Sequence, residues 1–214
     1  MLHIKVKVCG ITNLDDAAAA LEMGAFMLGF NFWPGSPRYI DPRDAARIRS
    51  KLPTSARCAG IFVDSSPGDI MRAADLAGIQ VAQLHGRESP EVCASVRLPV
   101  IKAFNSRTLP SEAGLAEFPD CLLLIDAWHP SMKGGTGRKA DWRTARRIAS
   151  KRPVILAGGL GPGNVLEAYQ AVRPAVLDVN SGVEKTPGVK VWEVWRPVRS
   201  RGATDTPLGI GGSL

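Results

Sequence analysis

Short apolar runs alternate along the chain with stretches whose apolar positions follow a helical period. The runs cover residues 4–9, 25–30, 57–63, 79–84, 99–104, 120–126, 153–157 and 175–179. Several have no polar alternation, as in Leu122-Leu123-Leu124-Ile125, the pattern of strands in a parallel sheet covered on both faces. The intervening stretches carry helix punctuation. Asn13 precedes Asp15, Asp16 and an alanine-rich segment ending at Gly24, which supplies a cap, an acidic first turn and a stop. Asp41-Pro42 opens a second helix, and later ones begin near Ser66-Pro67, Ser89-Pro90, Asp141 and Gly161-Pro162. A short eighth helix is predicted over 189–195, ended by Pro197.

Eight strand-helix units of this kind predict an α/β chain closed into a single-domain (β/α)8 TIM barrel over residues 1–199. A doubly wound sheet would place a GxGxxG turn after the first strand, whereas this turn reads Cys9-Gly10-Ile11-Thr12. From residue 200 to residue 214 the sequence becomes Gly, Thr and Pro without periodicity, and a disordered tail is expected there.

Length and composition fit this reading: 214 residues, 45% hydrophobic and 22% charged. The first residues lack a secretory signal, and no apolar run reaches the ~18–20 residues needed to cross a bilayer. A cytoplasmic protein without membrane association is expected. Four scattered cysteines and three scattered histidines make neither a disulfide framework nor a metal site. The net charge of +7 falls mainly on presumptive helix faces, so nucleic acid is not the expected partner. A positive field does favour a small anionic substrate.

In this fold the chemistry sits where strands end. Gly158-Gly159 follows strand 7 and Ser181-Gly182 follows strand 8, the loops whose backbone N–H groups commonly hold phosphate in such barrels. Cys9 ends strand 1 and, from position alone, reads equally as a buried packing residue or a catalytic thiol. Asp126 ends the most apolar strand, where it is either a partly desolvated acid or a loop cap. Arg38, in Ser36-Pro37-Arg38-Tyr39, has the geometry to clasp a carboxylate at two points, although most arginines are surface residues. Gly134-Gly135-Thr136-Gly137 resembles a lid and lacks P-loop spacing. His85 reads as a structural or pocket-lining hydrogen bonder.

Taken in order, Lys7-Val8-Cys9-Gly10-Ile11-Thr12, Ser36-Pro37-Arg38-Tyr39, Gln83-Leu84-His85-Gly86, Leu123-Leu124-Ile125-Asp126, Leu156-Ala157-Gly158-Gly159-Leu160 and Asp178-Val179-Asn180-Ser181-Gly182-Val183-Glu184 carry a resemblance. The chain resembles the phosphoribosylanthranilate isomerase family of tryptophan biosynthesis from about residue 4 to about residue 190. The resemblance implies a cofactor-free Amadori rearrangement, with Cys9 as general base and Asp126 as general acid. It places the anthranilate carboxylate on Arg38 and the phosphate on Gly158, Gly159, Ser181 and Gly182. It leaves monomer versus homodimer open. Two positions depart from the family pattern: Val191 stands where Asp is common, and Gly161 where Asn is frequent.

Such a mechanism needs a thiolate and a protonated carboxyl together. With ordinary pKa values of ~8.5 and ~3.9, that state holds about 10⁻⁵ to 10⁻⁴ of molecules at neutral pH, a penalty on the order of 6 kcal/mol. Burial and substrate anions are therefore expected to raise Asp126, and a helix N-terminus or cation to favour the Cys9 thiolate. Three alternatives remain: an indole-glycerol-phosphate synthase relative, an isomerase built on two aspartates, and a catalytically silent phosphosugar-binding barrel. The first would use a Lys/Glu set and the second an Asp at position 9. The third would be expected to have lost Cys9 or Asp126, and both are present.

Overall fold

A computed structural model describes residues 4–105, 108–126 and 142–192. Eight parallel strands close into a barrel: β1 (Val6–Cys9), β2 (Met27–Asn31), β3 (Cys58–Phe62), β4 (Val81–Leu84), β5 (Val100–Asn105), β6 (Leu122–Asp126), β7 (Val154–Ala157) and β8 (Val176–Val179). The ring closes through β1 and β8, with Lys7 opposite Asp178 in register. Each predicted strand is present with one or two residues trimmed from its start, and β2 and β5 run one residue further at the end.

Around the barrel lie α1 (Leu14–Glu22), α2 (Pro42–Arg49), α3 (Pro67–Ala77), α4 (Pro90–Ser95), α5 (Glu112–Ala116), α6 (Trp142–Ala149) and α7 (Val165–Val172). The predicted caps act as such: the side chains of Asn13, Asp41, Ser66 and Ser89 accept from backbone N–H groups in the first turns of α1 to α4. Asp141, the Gly134–Gly137 stretch and the expected tail fall outside the described residues. Helix α7 starts at Val165 rather than at Pro162, because Asn164 ties the intervening turn to Gly159 and Gly161. Helix α5, capped by Ser111, has only five residues and no clear periodicity in sequence.

The start of the predicted eighth helix is replaced by strand. Residues β9 (Glu184–Thr186) and β10 (Val189–Lys190) form an antiparallel pair instead. Gly188, at φ +81°, makes the turn, and its carbonyl accepts from Thr12 Oγ1 at 2.6 Å. Asp16 then receives the backbone N–H of Lys190 at 3.0 Å and the indole N–H of Trp192 at 2.8 Å. Those side-chain bonds to α1, invisible to periodicity, select the extended form.

Alternation along the strands sorts the core into two shells. Val6, Val8, Leu28, Phe30, Leu123, Ile125, Leu156 and Leu177 face the helices and form the larger cluster. Met27, Val81, Ile101, Leu124, Ile155 and Val176 fill the barrel interior. Each large side chain buried this way is worth roughly 1.5–3 kcal/mol. The interior-facing residues at the strand ends are different in kind: Cys9, Asn31, Gln83, Asp126 and Asp178 bring sulfur, amides and carboxylates to one mouth. Among the described residues, no helix is long and apolar enough to cross a membrane.

Candidate active site

A cavity of about 300 Å³ opens at that mouth. Cys9, Asn31, His85, Asp126, Gly158, Gly159, Asp178, Asn180 and Ser181 are among its walls. Five of the seven residues expected at the site thus share one cavity: Cys9, Asp126, Gly158, Gly159 and Ser181. Arg38 and Gly182 are not among its lining residues.

Cys9 reaches the interior because β1 ends there and its neighbour on β2 is Gly29. A Cβ at Gly29 would stand 3.1 Å from the Cys9 sulfur, so glycine makes the room. The thiol is only 7% exposed. Burial pushes it above its ordinary value; Lys7 and Lys190 pull it down without overcoming burial and Asp178. The expected cations are present, but burial outweighs them and the net direction is upward, toward the thiol form.

Beneath it lies a buried ion pair. Lys7, fully buried, donates to both carboxylate oxygens of Asp178 at 3.0 and 3.1 Å. Burial opposes the Lys7 charge, but Asp178 and Cys9 outweigh it, and the ammonium is held above its ordinary range. Burial raises Asp178 against the pull of Lys7, with Asp126 adding to the rise. Sequence reasoning left Asp178 undecided and passed over Lys7. The signal was a charge at an inward position of an otherwise apolar strand, once in Val6-Lys7-Val8 and once in Leu177-Asp178-Val179.

The opposite rim is built from backbone. Gly158 and Gly159 both have positive φ, at 104° and 62°, a conformation open to glycine at little cost. Here the loops after β7 and β8 touch chain to chain. A Cβ on Gly182 would lie 2.2 Å from the Leu160 carbonyl oxygen, and one on Gly161 would lie 2.7 Å from that of Gly182. This arrangement leaves small residues and unencumbered peptide groups facing the cavity, the usual makings of an anion site.

Arg38 is positioned by its own loop. Asn31 Nδ2 donates to Ser36 Oγ at 3.1 Å, and Ser36 Oγ accepts the Arg38 backbone N–H at 3.1 Å. The guanidinium is then held by Glu184: Nε donates at 3.0 Å to each oxygen and NH2 at 2.6 Å to Oε2. Lys190 joins them, donating to Glu184 at 2.7 Å, Asn180 Oδ1 at 3.2 Å and the Cys9 carbonyl at 2.6 Å. Two cations share one carboxylate, leaving net positive charge beside the cavity. The sequence placed Glu184 in the last family segment and Lys190 at the end of the resemblance but gave neither a role, since both fall in a segment read as loop and helix start.

Two further residues resolve differently. His85 lines the cavity, and burial lowers its basicity. Its Nδ1 is 3.2 Å from the Gln83 side-chain amide. Lys102 points to the helix side of the barrel and pairs with buried Glu88 at 2.7 Å, outside the cavity.

A barrel mouth that joins a buried thiol, a carboxylate, a glycine-lined rim and surplus positive charge is suited to acid–base chemistry on a small anion. Comparison with known proteins gives the family. The family model described as N-(5'phosphoribosyl)anthranilate (PRA) isomerase matches residues 6–197. The N-(5'-phosphoribosyl)anthranilate isomerase of Geobacter sp. (strain M21) is 47% identical over 186 residues, covering 87% of this chain and 91% of the relative. The crystal structure of phosphoribosyl anthranilate isomerase from Thermus thermophilus has a TM-score of 0.81 at 42% identity, over 92% of this chain and 98% of that one. A phosphoribosyl anthranilate isomerase structure in complex with reduced 1-(o-carboxyphenylamino)-1-deoxyribulose 5-phosphate aligns at a TM-score of 0.77 and 36% identity, over 90% of this chain and 94% of that one. The chain belongs to the N-(5'-phosphoribosyl)anthranilate isomerase family.

Proposed function

We propose that this chain isomerises N-(5'-phosphoribosyl)anthranilate to 1-(o-carboxyphenylamino)-1-deoxyribulose 5-phosphate, a step of tryptophan biosynthesis, with Cys9 as base and Asp126 as acid. The observation that carries this assignment is that Cys9 on β1 and Asp126 on β6 line one cavity, with Gly158, Gly159 and Ser181 on the same walls. Asp126 gives its proton to the furanose oxygen, and the ring opens to a Schiff base. The Cys9 thiolate removes the proton from C2′, and the enolamine formed tautomerises to the ketone. At the end of these two transfers Asp126 is ionised and Cys9 protonated.

The phosphate takes backbone N–H groups of the loops carrying Gly158, Gly159, Ser181 and Gly182. The anthranilate carboxylate takes Arg38 by the guanidinium edge away from Glu184, since Nε and one side of NH2 are already committed to that carboxylate. Every step is a proton transfer between side chains and substrate, and the sugar itself supplies both carbons that change oxidation level.

Turnover followed by loss of substrate fluorescence tests the assignment. Cys9→Ala and Asp126→Asn are each expected to lower kcat by roughly 10²–10⁴-fold with little change in KM. Near-wild-type kcat in either variant overturns the role of that residue.

A further inference from the structure

A base that rests as a buried thiol needs a counter-charge before it can ionise. The charged groups facing Cys9 are Lys7 on its own strand, Asp178 on β8, Lys190 on β10 and Arg38 after β2. His85 and Asp126 complete the cavity walls from β4 and β6. Among the cations, Lys190 has no N–H left for the sulfur: its ammonium has three, and it donates them to the Cys9 carbonyl, Asn180 and Glu184. Arg38 is clamped by Glu184. Lys7 is different. Its ammonium donates to both oxygens of the Asp178 carboxylate and has a side-chain hydrogen bond toward Cys9, which lies on the same face two residues along the strand.

We propose that Lys7 is a positioning residue for the base: its buried ammonium, held between Asp178 and the Cys9 sulfur, is the counter-charge that admits the Cys9 thiolate. Asp178 acts in the opposite sense, competing with the sulfur for the same ammonium. The pair therefore sets how readily Cys9 releases its proton to solvent. This deepens the reading of Cys9 as base and rests on it for its meaning in turnover, but the ionisation itself needs no substrate.

Geometry supports the arrangement independently of any titration. The ion pair spans the seam where β1 and β8 close the barrel, with Lys7 0% and Asp178 7% exposed. A lysine and an aspartate buried for stability alone would gain nothing from standing beneath the mouth. An apolar pair of similar volume would fill that layer at no greater cost.

The test is the pH dependence of Cys9 alkylation by iodoacetamide in the full-length, ligand-free protein. Mass spectrometry of the Cys9 peptide separates it from Cys58, Cys93 and Cys121. Removing the cation with Lys7→Met is expected to raise the midpoint by about one pH unit or more, and removing the anion with Asp178→Asn to lower it by a similar amount. Lys7→Arg, which keeps the charge, stays near wild type. A merely structural role would not move the two single variants in opposite directions.

If either single variant fails to fold, the neutral pair Lys7→Met/Asp178→Asn decides, and its midpoint is expected above wild type. An unchanged midpoint in Lys7→Met, a shift of both single variants in one direction, or a double variant at or below wild type overturns the proposal. Full activity in Cys9→Ala, by contrast, would remove Cys9 as the base and leave these midpoints where they are.

Discussion

Replacing Gly10 by alanine tests how the first turn seats Arg38, the residue proposed to take the anthranilate carboxylate. Gly10 has φ +74°, and a Cβ there would stand 2.7 Å from both Arg38 Cδ and Asn180 Oδ1. The left-handed backbone alone costs a non-glycine residue roughly 1–2 kcal/mol. To reach ordinary contact at 3.4 Å the Arg38 stem or the Asn180 amide must also retreat, by on the order of 0.7 Å. Neither is free to do so. Arg38 is clamped by Glu184, and Asn180 Oδ1 accepts from Lys190 at 3.2 Å. The strain should therefore appear twice. The melting temperature is expected to fall by about 2–8 °C. A displacement approaching 1 Å in a substrate-orienting group is expected to lower kcat/KM by roughly 10–100-fold, mostly through KM. Calorimetry and steady-state turnover measure both. A lower melting temperature with wild-type kinetics would show that Gly10 serves the turn alone, and no change in either would refute the steric argument.

Two other expectations concern the layers around the cavity. Lys102→Met strips the cation from buried Glu88, which keeps only the backbone N–H groups of Asp64 and Gly86, and should cost about 3–5 kcal/mol. Because the pair lies outside the cavity, turnover per folded molecule should hold, and an unchanged urea midpoint would contradict the assignment. Burial lowers His85 below 6.5, so protonation costs the folded form more than the unfolded one. Its contribution is intact above pH 6.5 and is lost as pH falls through the lower folded value. His85→Gln should flatten that acid limb in urea midpoints taken across pH, and superimposable limbs would count against it.

The strands were readable because burial on both faces leaves a run of aliphatic residues whose length bounds the element. The first four helices were readable from caps whose side-chain bonds form as expected, from Asn13 to Ser89. Position at strand ends led to Cys9, Asp126 and the two glycine loops. What stayed hidden depends on contacts far apart in sequence. The 184–190 segment is extended because Asp16 and Thr12, more than 170 residues earlier, supply its partners. Arg38 was recognised, but its engagement with Glu184, 146 residues away, could not be. Lys7 stood in a family segment without a role until barrel closure set it opposite Asp178.

The mutual contact of the loops after β7 and β8 constrains how this chain can change. Because Gly161 and Gly182 each occupy the space a neighbouring methyl would need, the two segments must vary together. Installing asparagine at position 161 would wedge the segments apart. Asn164 already bonds the Gly161 N–H at 2.9 Å and the Gly159 carbonyl at 3.0 Å from three residues downstream. Anyone transplanting this corner into another scaffold would have to carry residues 158–164 and 180–183 as a matched set.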